Sequence, residues 1–153
     1  QILKTNPLAD GSTPEILVDN DDQETVTISG EWDRQTSGGY GPSLLRDLSK
    51  GKDEKSIRYT PEIMENGSYQ VYAYFSRTEE ATSQTLILVS DGKEEKEIVV
   101  KEEDVRVEGQ TSGEWVSLGE FDLEAGKEAF VEISNGRADG VTVADAVLWV
   151  PER

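Results

Sequence analysis

The sequence predicts an all-β chain, an antiparallel β-sandwich of the jelly-roll kind. Three observations predict it. Short stretches rich in Val, Ile, Tyr and Phe recur along the 153 residues, several with the two-residue alternation of half-buried strands. Turn dipeptides separate them, among them Asn66-Gly67, Asp91-Gly92, Ala125-Gly126 and Asn135-Gly136. Helical periodicity is weak throughout, so strands have no helices to pack on and must bury their apolar faces sheet on sheet.

Taken in order, Gln1 to Pro14 carry Asn6-Pro7, Asp10-Gly11-Ser12 and Thr13-Pro14, the composition of a linker or N-terminal extension. The folded module is expected over residues 15–151. Glu15 to Asp19 reads as a first strand, and Thr25 to Ser29 alternates polar and apolar as a second. A small-residue loop, Thr36 to Ser43, leads to Leu44–Leu48, the one candidate for a helical turn. Ser56 to Tyr59 is a short strand. Ser68 to Phe75 is a longer one, with Tyr69, Val71, Ala73 and Phe75 on one face and Tyr72 and Tyr74 on the other. Thr85 to Ser90 and Glu97 to Val100 flank Asp91-Gly92 as a hairpin. Glu114 to Leu123, Ala129 to Ser134 and a last apolar strand ending near Val150 complete the series.

Composition narrows the function. The net charge is −17, from 15 basic and 32 acidic residues, with lysines interleaved among glutamates as in Lys93-Glu94-Glu95-Lys96-Glu97. That leaves no basic footprint for nucleic acid or anionic lipid. No segment approaches the roughly 20 apolar residues of a membrane-spanning helix. There is no cysteine and no histidine, which removes disulfides, Cys- or His-ligated metals and His-dependent nucleophilic catalysis. Carboxylate chemistry and hard, oxygen-liking cations remain. No pair among the acids stands out by spacing as a hydrolytic pair, so an autonomous carboxylate hydrolase is the weakest of the functional readings. The chain opens at Gln1 without an initiator Met or signal peptide, as expected of a mature or excised fragment.

One acid is conspicuous. Asp145 lies inside the apolar run Val141 to Val150, where a carboxylate must be paired, hydrogen-bonded or bound to a cation. A second acidic cluster, Asp19, Asp21 and Asp22, lies near the other end. If the terminal strands pair, the clusters meet. Two readings then stand side by side: a structural calcium site built from Asp19, Asp21, Asp22 and Asp145, or local hydrogen bonding, with Asn20 and Asp22 accepting turn N–H groups and Asp145 receiving N–H or hydroxyl donors or pairing with Arg137.

The landmarks follow a recognisable order: Val18-Asp19-Asn20-Asp21-Asp22, Gly30-x-Trp32, Gly39-Tyr40-Gly41, Gly67-x-Tyr69-x-Val71-Tyr72-Ala73, Trp115-x-x-Leu118-Gly119, and Gly140-x-x-Val143-Ala144-Asp145-Ala146-Val147. Over about residues 15 to 150 the chain resembles the golvesin C-terminal-like domain, also described as a xanthan-lyase-type carbohydrate-binding domain. The resemblance implies a galactose-binding-like sandwich appended to secreted bacterial enzymes that handle polysaccharide or peptidoglycan. It therefore implies a non-catalytic accessory module, a glycan ligand, an adjacent catalytic domain and a location outside the cell, in the periplasm or at the bacterial surface.

Sugar binding needs an aromatic surface for the C–H face of the ring and planar polar groups for its hydroxyls. Trp32, Tyr40, Tyr74 and Arg77 are the candidates, Trp32 and Tyr40 because they flank the glycine-rich loop. The alternative, from another class, is a structural module that packs on its neighbouring catalytic domain and has no ligand of its own.

Overall fold

A computed structural model describes residues 15–22, 24–36, 43–48, 52, 54–76, 80–102, 105 and 113–152. The segment read as a linker, residues 1–14, lies outside them. The described chain forms twelve strands: β1 (Ile16–Asp19), β2 (Val26–Ser29), β3 (Asp33–Gln35), β4 (Leu44–Asp47), β5 (Ser56–Tyr59), β6 (Gly67–Ser76), β7 (Gln84–Ser90), β8 (Glu95–Lys101), β9 (Gly113–Leu123), β10 (Phe130–Ser134), β11 (Thr142–Ala144) and β12 (Ala146–Pro151).

They assemble into a four-stranded sheet, β1-β12-β6-β9, a five-stranded sheet, β2-β5-β10-β7-β8, and a small sheet, β11-β4-β3. Every strand pairing in the three sheets is antiparallel. The terminal strands pair as expected, Ile16 opposite Trp149 and Asp19 opposite Ala146. Between the two larger sheets lies one apolar core that includes Ile57, Tyr59, Tyr69, Val71, Ala73, Ile87, Val131, Ile133, Val147 and Trp149. The buried tyrosines keep their hydroxyls satisfied, Tyr59 donating to the Asp145 carbonyl at 3.0 Å and Tyr69 to the Glu65 carbonyl at 2.6 Å.

Two local expectations are corrected. Leu44–Asp47 is a strand, not a helical turn. Its Leu-Leu-Arg-Asp sequence has good intrinsic helix formers, but pairing with β3 on one side and β11 on the other overrides propensity in so short a piece. The last apolar run is two strands rather than one. β11 pairs with β4 and β12 with β1 and β6, and the chain changes sheets at Asp145.

Candidate functional site

The outer face of the four-stranded sheet is set by a single irregularity. On β6, Tyr69, Val71, Ala73 and Phe75 are buried, so Gln70, Tyr72 and Tyr74 point outward. On β9, Glu120 opposes Gln70 and Gly119 opposes Val71, but the next pair is Ser117 with Tyr72. Leu118 is the extra residue of a β-bulge, and it is buried in the core. Gly119 holds the bulge with φ of +113°, a conformation that favours glycine.

A strand without the bulge would place Leu118 outside and Trp115 inside. With it, Val116 joins the core side and Trp115 stands outward opposite Tyr74. The two rings meet edge to face, with centroids 5.1 Å apart and planes at 71°. Gly113 makes room at the end of the ladder, because a Cβ there would come within 2.8 Å of the Tyr74 ring and 2.3 Å of the Phe75 carbonyl oxygen. Beside the pair, the same face carries Tyr72, Leu148 and Leu17, which oppose one another across β6, β12 and β1. Further down it, Gln70 donates to Glu152 at 2.7 Å.

Of the residues proposed from sequence to hold a sugar, Tyr74 lies on this face. Trp32 is half-buried, packs against the rim of the core and donates from Nε1 to the Ser29 carbonyl at 3.1 Å. Tyr40 and Arg77 lie outside the described residues. Trp115 enters the sequence reading only as a landmark, because the bulge that turns it outward has no sequence signal beyond Leu118-Gly119.

The acidic cluster does assemble. Asp22 Oδ2 accepts the Asp19 N–H and Asp19 Oδ1 accepts the Asn20 N–H, both at 2.9 Å. Asp21 accepts from Ser43 Oγ at 2.8 Å and from the Arg34 guanidinium. Asn20, in the orientation that satisfies both ends of its amide, donates to the Ser43 carbonyl at 2.7 Å. Burial pushes the Asp19 carboxyl up from 3.8 to about 6, and repulsion from Asp145, Asp21 and Asp22 adds to the rise. Among the described residues no three acids are arranged to hold a metal ion. Asp19, Asp21 and Asp22 each turn a carboxylate oxygen to protein donors.

Asp145 is fully buried and accepts from Ser76 Oγ at 2.7 Å. Arg137, a sequence candidate for its partner, instead donates to Glu97 at 2.9 Å across the surface. Nearby, Asp139 clamps the turn before β11 to the start of β7. It accepts from the Ser83 N–H at 2.7 Å, Ser83 Oγ at 2.6 Å and Thr82 Oγ1 at 3.0 Å, and these donors, those of Ser83 first, hold its carboxyl down at about 2.

A further network was missed from sequence. Asp47, fully buried, lies 3.1 Å from Lys55 Nζ and accepts from Asn135 Nδ2 at 2.6 Å. The signal was hidden because Asp47 sat in the supposed helical turn, Lys55 in a charged stretch and Asn135 in an ordinary Asn-Gly turn.

Comparison with known proteins places this geometry. A xanthan lyase of Bacillus sp. (strain GL1) is 35% identical over 146 residues, which cover 90% of this chain and 15% of that protein. The solved structure of a Paenibacillus xanthan lyase superposes with a TM-score of 0.79 at 28% identity, over 93% of this chain and 14% of that one. The chain thus spans a small fraction of the lyases it matches. A CBM35 from Cellvibrio japonicus Abf62, 11% identical, shares the fold with a TM-score of 0.59 over 92% of this chain and 95% of its own. The model of the Golvesin C-terminal domain matches residues 16–150, so nearly the whole described sandwich is accounted for by one family: the chain belongs to the Golvesin C-terminal domain family.

Proposed function

We propose that the chain is a non-catalytic carbohydrate-binding module of a longer, secreted bacterial enzyme that acts on polysaccharide, and that it holds glycan on the outer face of the four-stranded sheet. The observation that carries the reading is the outward Tyr74–Trp115 pair. A bulge with a positive-φ glycine turns a tryptophan away from the core, where its burial would otherwise stabilise the fold. An aromatic pair on the outer face of a sheet offers the C–H face of a sugar ring a platform, with Tyr72 and Gln70 alongside for hydroxyls. Kinship to xanthan lyases that are several times longer supports an accessory place within such an enzyme. The flat site and the solvated hydroxyls of sugars point to dissociation constants on the order of micromolar to millimolar.

A glycan array followed by calorimetric titration tests this. Binding is expected for the wild type and lost in Trp115→Ala with the fold unchanged; a blank array at millimolar ligand would sink it. A blank would favour the second reading, packing on a neighbouring domain. That reading has its own observation: an open groove of about 630 Å3 beside β1, where exposed Leu17 and Met64 meet Asp22, Glu24 and Glu62.

A further inference from the structure

The buried triad of Asp47, Lys55 and Asn135 lies at β4, β5 and β10, outside the four-stranded sheet proposed to hold glycan. Asn135 is 2% exposed, and the Lys55 side chain only 11%. The two residues are cross-strand neighbours, one position beyond the Ser56–Ser134 pair of β5 and β10. The Asn135 N–H donates to the Lys55 carbonyl at 3.2 Å, and the Lys55 N–H donates to Asn135 Oδ1 at 2.8 Å. Gly30 clears a path for the lysine stem, since a Cβ at that position would come 2.6 Å from Lys55 Cγ. An amine and a carboxamide are therefore held on the two oxygens of one buried carboxylate.

We propose that Lys55 and Asn135 form an intramolecular isopeptide bond, with Asp47 as the proton carrier and ammonia as the leaving group. Asp47 Oδ1 takes a proton from the Lys55 ammonium and frees its lone pair. That pair forms the new bond from Nζ to Asn135 Cγ, while the carbonyl π pair moves onto Oδ1. The Lys55 backbone N–H already points at Oδ1 and stabilises the charge that develops there. Collapse of the tetrahedral centre breaks the bond from Cγ to Nδ2. A turn of the Asp47 carboxyl about its Cβ–Cγ bond brings the protonated oxygen to that nitrogen, which Oδ2 already holds by a hydrogen bond, and returns the proton, so the nitrogen departs as ammonia and then takes the remaining proton from the new amide as ammonium. One C–N bond forms and one breaks, with no oxidant and no co-reactant. Aminolysis of an unactivated amide is slow in solution, but neighbours fixed in a near-attack geometry, with reacting atoms about 3–3.5 Å apart, gain effective molarities of about 10⁵–10⁸ M. A chain without cysteine has no disulfide to join its strands, and this bond would join β5 to β10 covalently across the five-stranded sheet.

The intact mass of the folded, full chain is the test. It is expected to be one ammonia lighter than the sequence mass, and digestion should release a branched peptide joining Lys55 to Asn135. Lys55→Arg and Asp47→Asn should restore the full mass, with circular dichroism confirming the fold. Asn135 precedes Gly136, so a backbone succinimide would lose ammonia too; it opens with hydroxylamine and forms without Lys55. A folded wild type at the full sequence mass overturns the proposal, as does an ammonia loss on the peptides that hold Lys55 and Asn135 that persists in Lys55→Arg; ammonia lost by cyclisation of Gln1 is told apart in the same digest. Should the variants fail to fold, the wild-type mass and the branched peptide suffice: both present supports the bond, and the absence of either overturns it.

Discussion

Tyr74 and Trp115 face each other across β6 and β9 because Leu118 does not take its turn on the outside of the sheet. One inserted residue exchanges a leucine for a tryptophan at the surface.

The pair can be dissected. Trp115→Ala and Tyr74→Ala should each lose glycan binding by at least tenfold in titration. Each should cost the fold only about 0.5–1.5 kcal/mol, the usual worth of an aromatic pair beyond its burial. Chemical denaturation beside the titration separates the two effects. Unfolding by either change would make the pair part of the core.

Gly119 should be the sensitive point of the bulge. A Cβ there meets only the Phe121 ring at 3.6 Å, so space is available and the obstacle is the φ of +113°. Gly119→Ala is expected to cost about 1–3 kcal/mol and to change Trp115 fluorescence as the register strains. An unchanged emission spectrum with unchanged stability would show that the bulge does not need its glycine.

Asp145→Ala should destabilise the protein by about 2–4 kcal/mol, because it strips the buried Ser76 hydroxyl of its acceptor at the point where β11 becomes β12. A loss under about 0.5 kcal/mol in urea unfolding would contradict the buried network.

Two acids set opposite limbs of the pH profile. Asp19 rises from 3.8 unfolded to about 6 folded, so between those values the native state holds more protons and stability falls as pH rises through the window. Asp19→Asn should flatten that limb. Asp139 is held down at about 2, so its contribution is complete above about pH 4 and is lost as pH falls through 2. Thermal melts across pH 2–8 read both slopes. The protein donors on Asp19, Asp21 and Asp22 lead us to expect that a chelator leaves the melting temperature at pH 7 unchanged. A drop would instead assign calcium to the cluster.

The sandwich was legible because alternation and turn dipeptides are local signals. Tyr69 to Phe75 show it, each falling on its expected face. The pairing of the terminal strands was legible too, and with it the meeting of Asp19 and Asp145. What stayed hidden depends on long-range pairing. Leu44–Asp47 became a strand between nearby β3 and distant β11, and Trp115 turned outward through a bulge defined only against β6. Asp47, Lys55 and Asn135 converge from positions up to 88 residues apart, which no local pattern encodes.

The antiparallel pairing of β1 with β12 has a mechanical consequence. Ile16 begins one strand and Pro151 ends the other, at the same end of the ladder where Ile16 meets Trp149. Tension applied through the two ends of the module would open that ladder like a zipper, one hydrogen-bonded pair at a time from Ile16 toward Asp19. It would not load all the pairs together in shear. Peeling stops where Asn20 and Asp21 are tied to Ser43 and Arg34, so the first yield point under load lies at the acidic cluster rather than in the sheet that carries Tyr74 and Trp115.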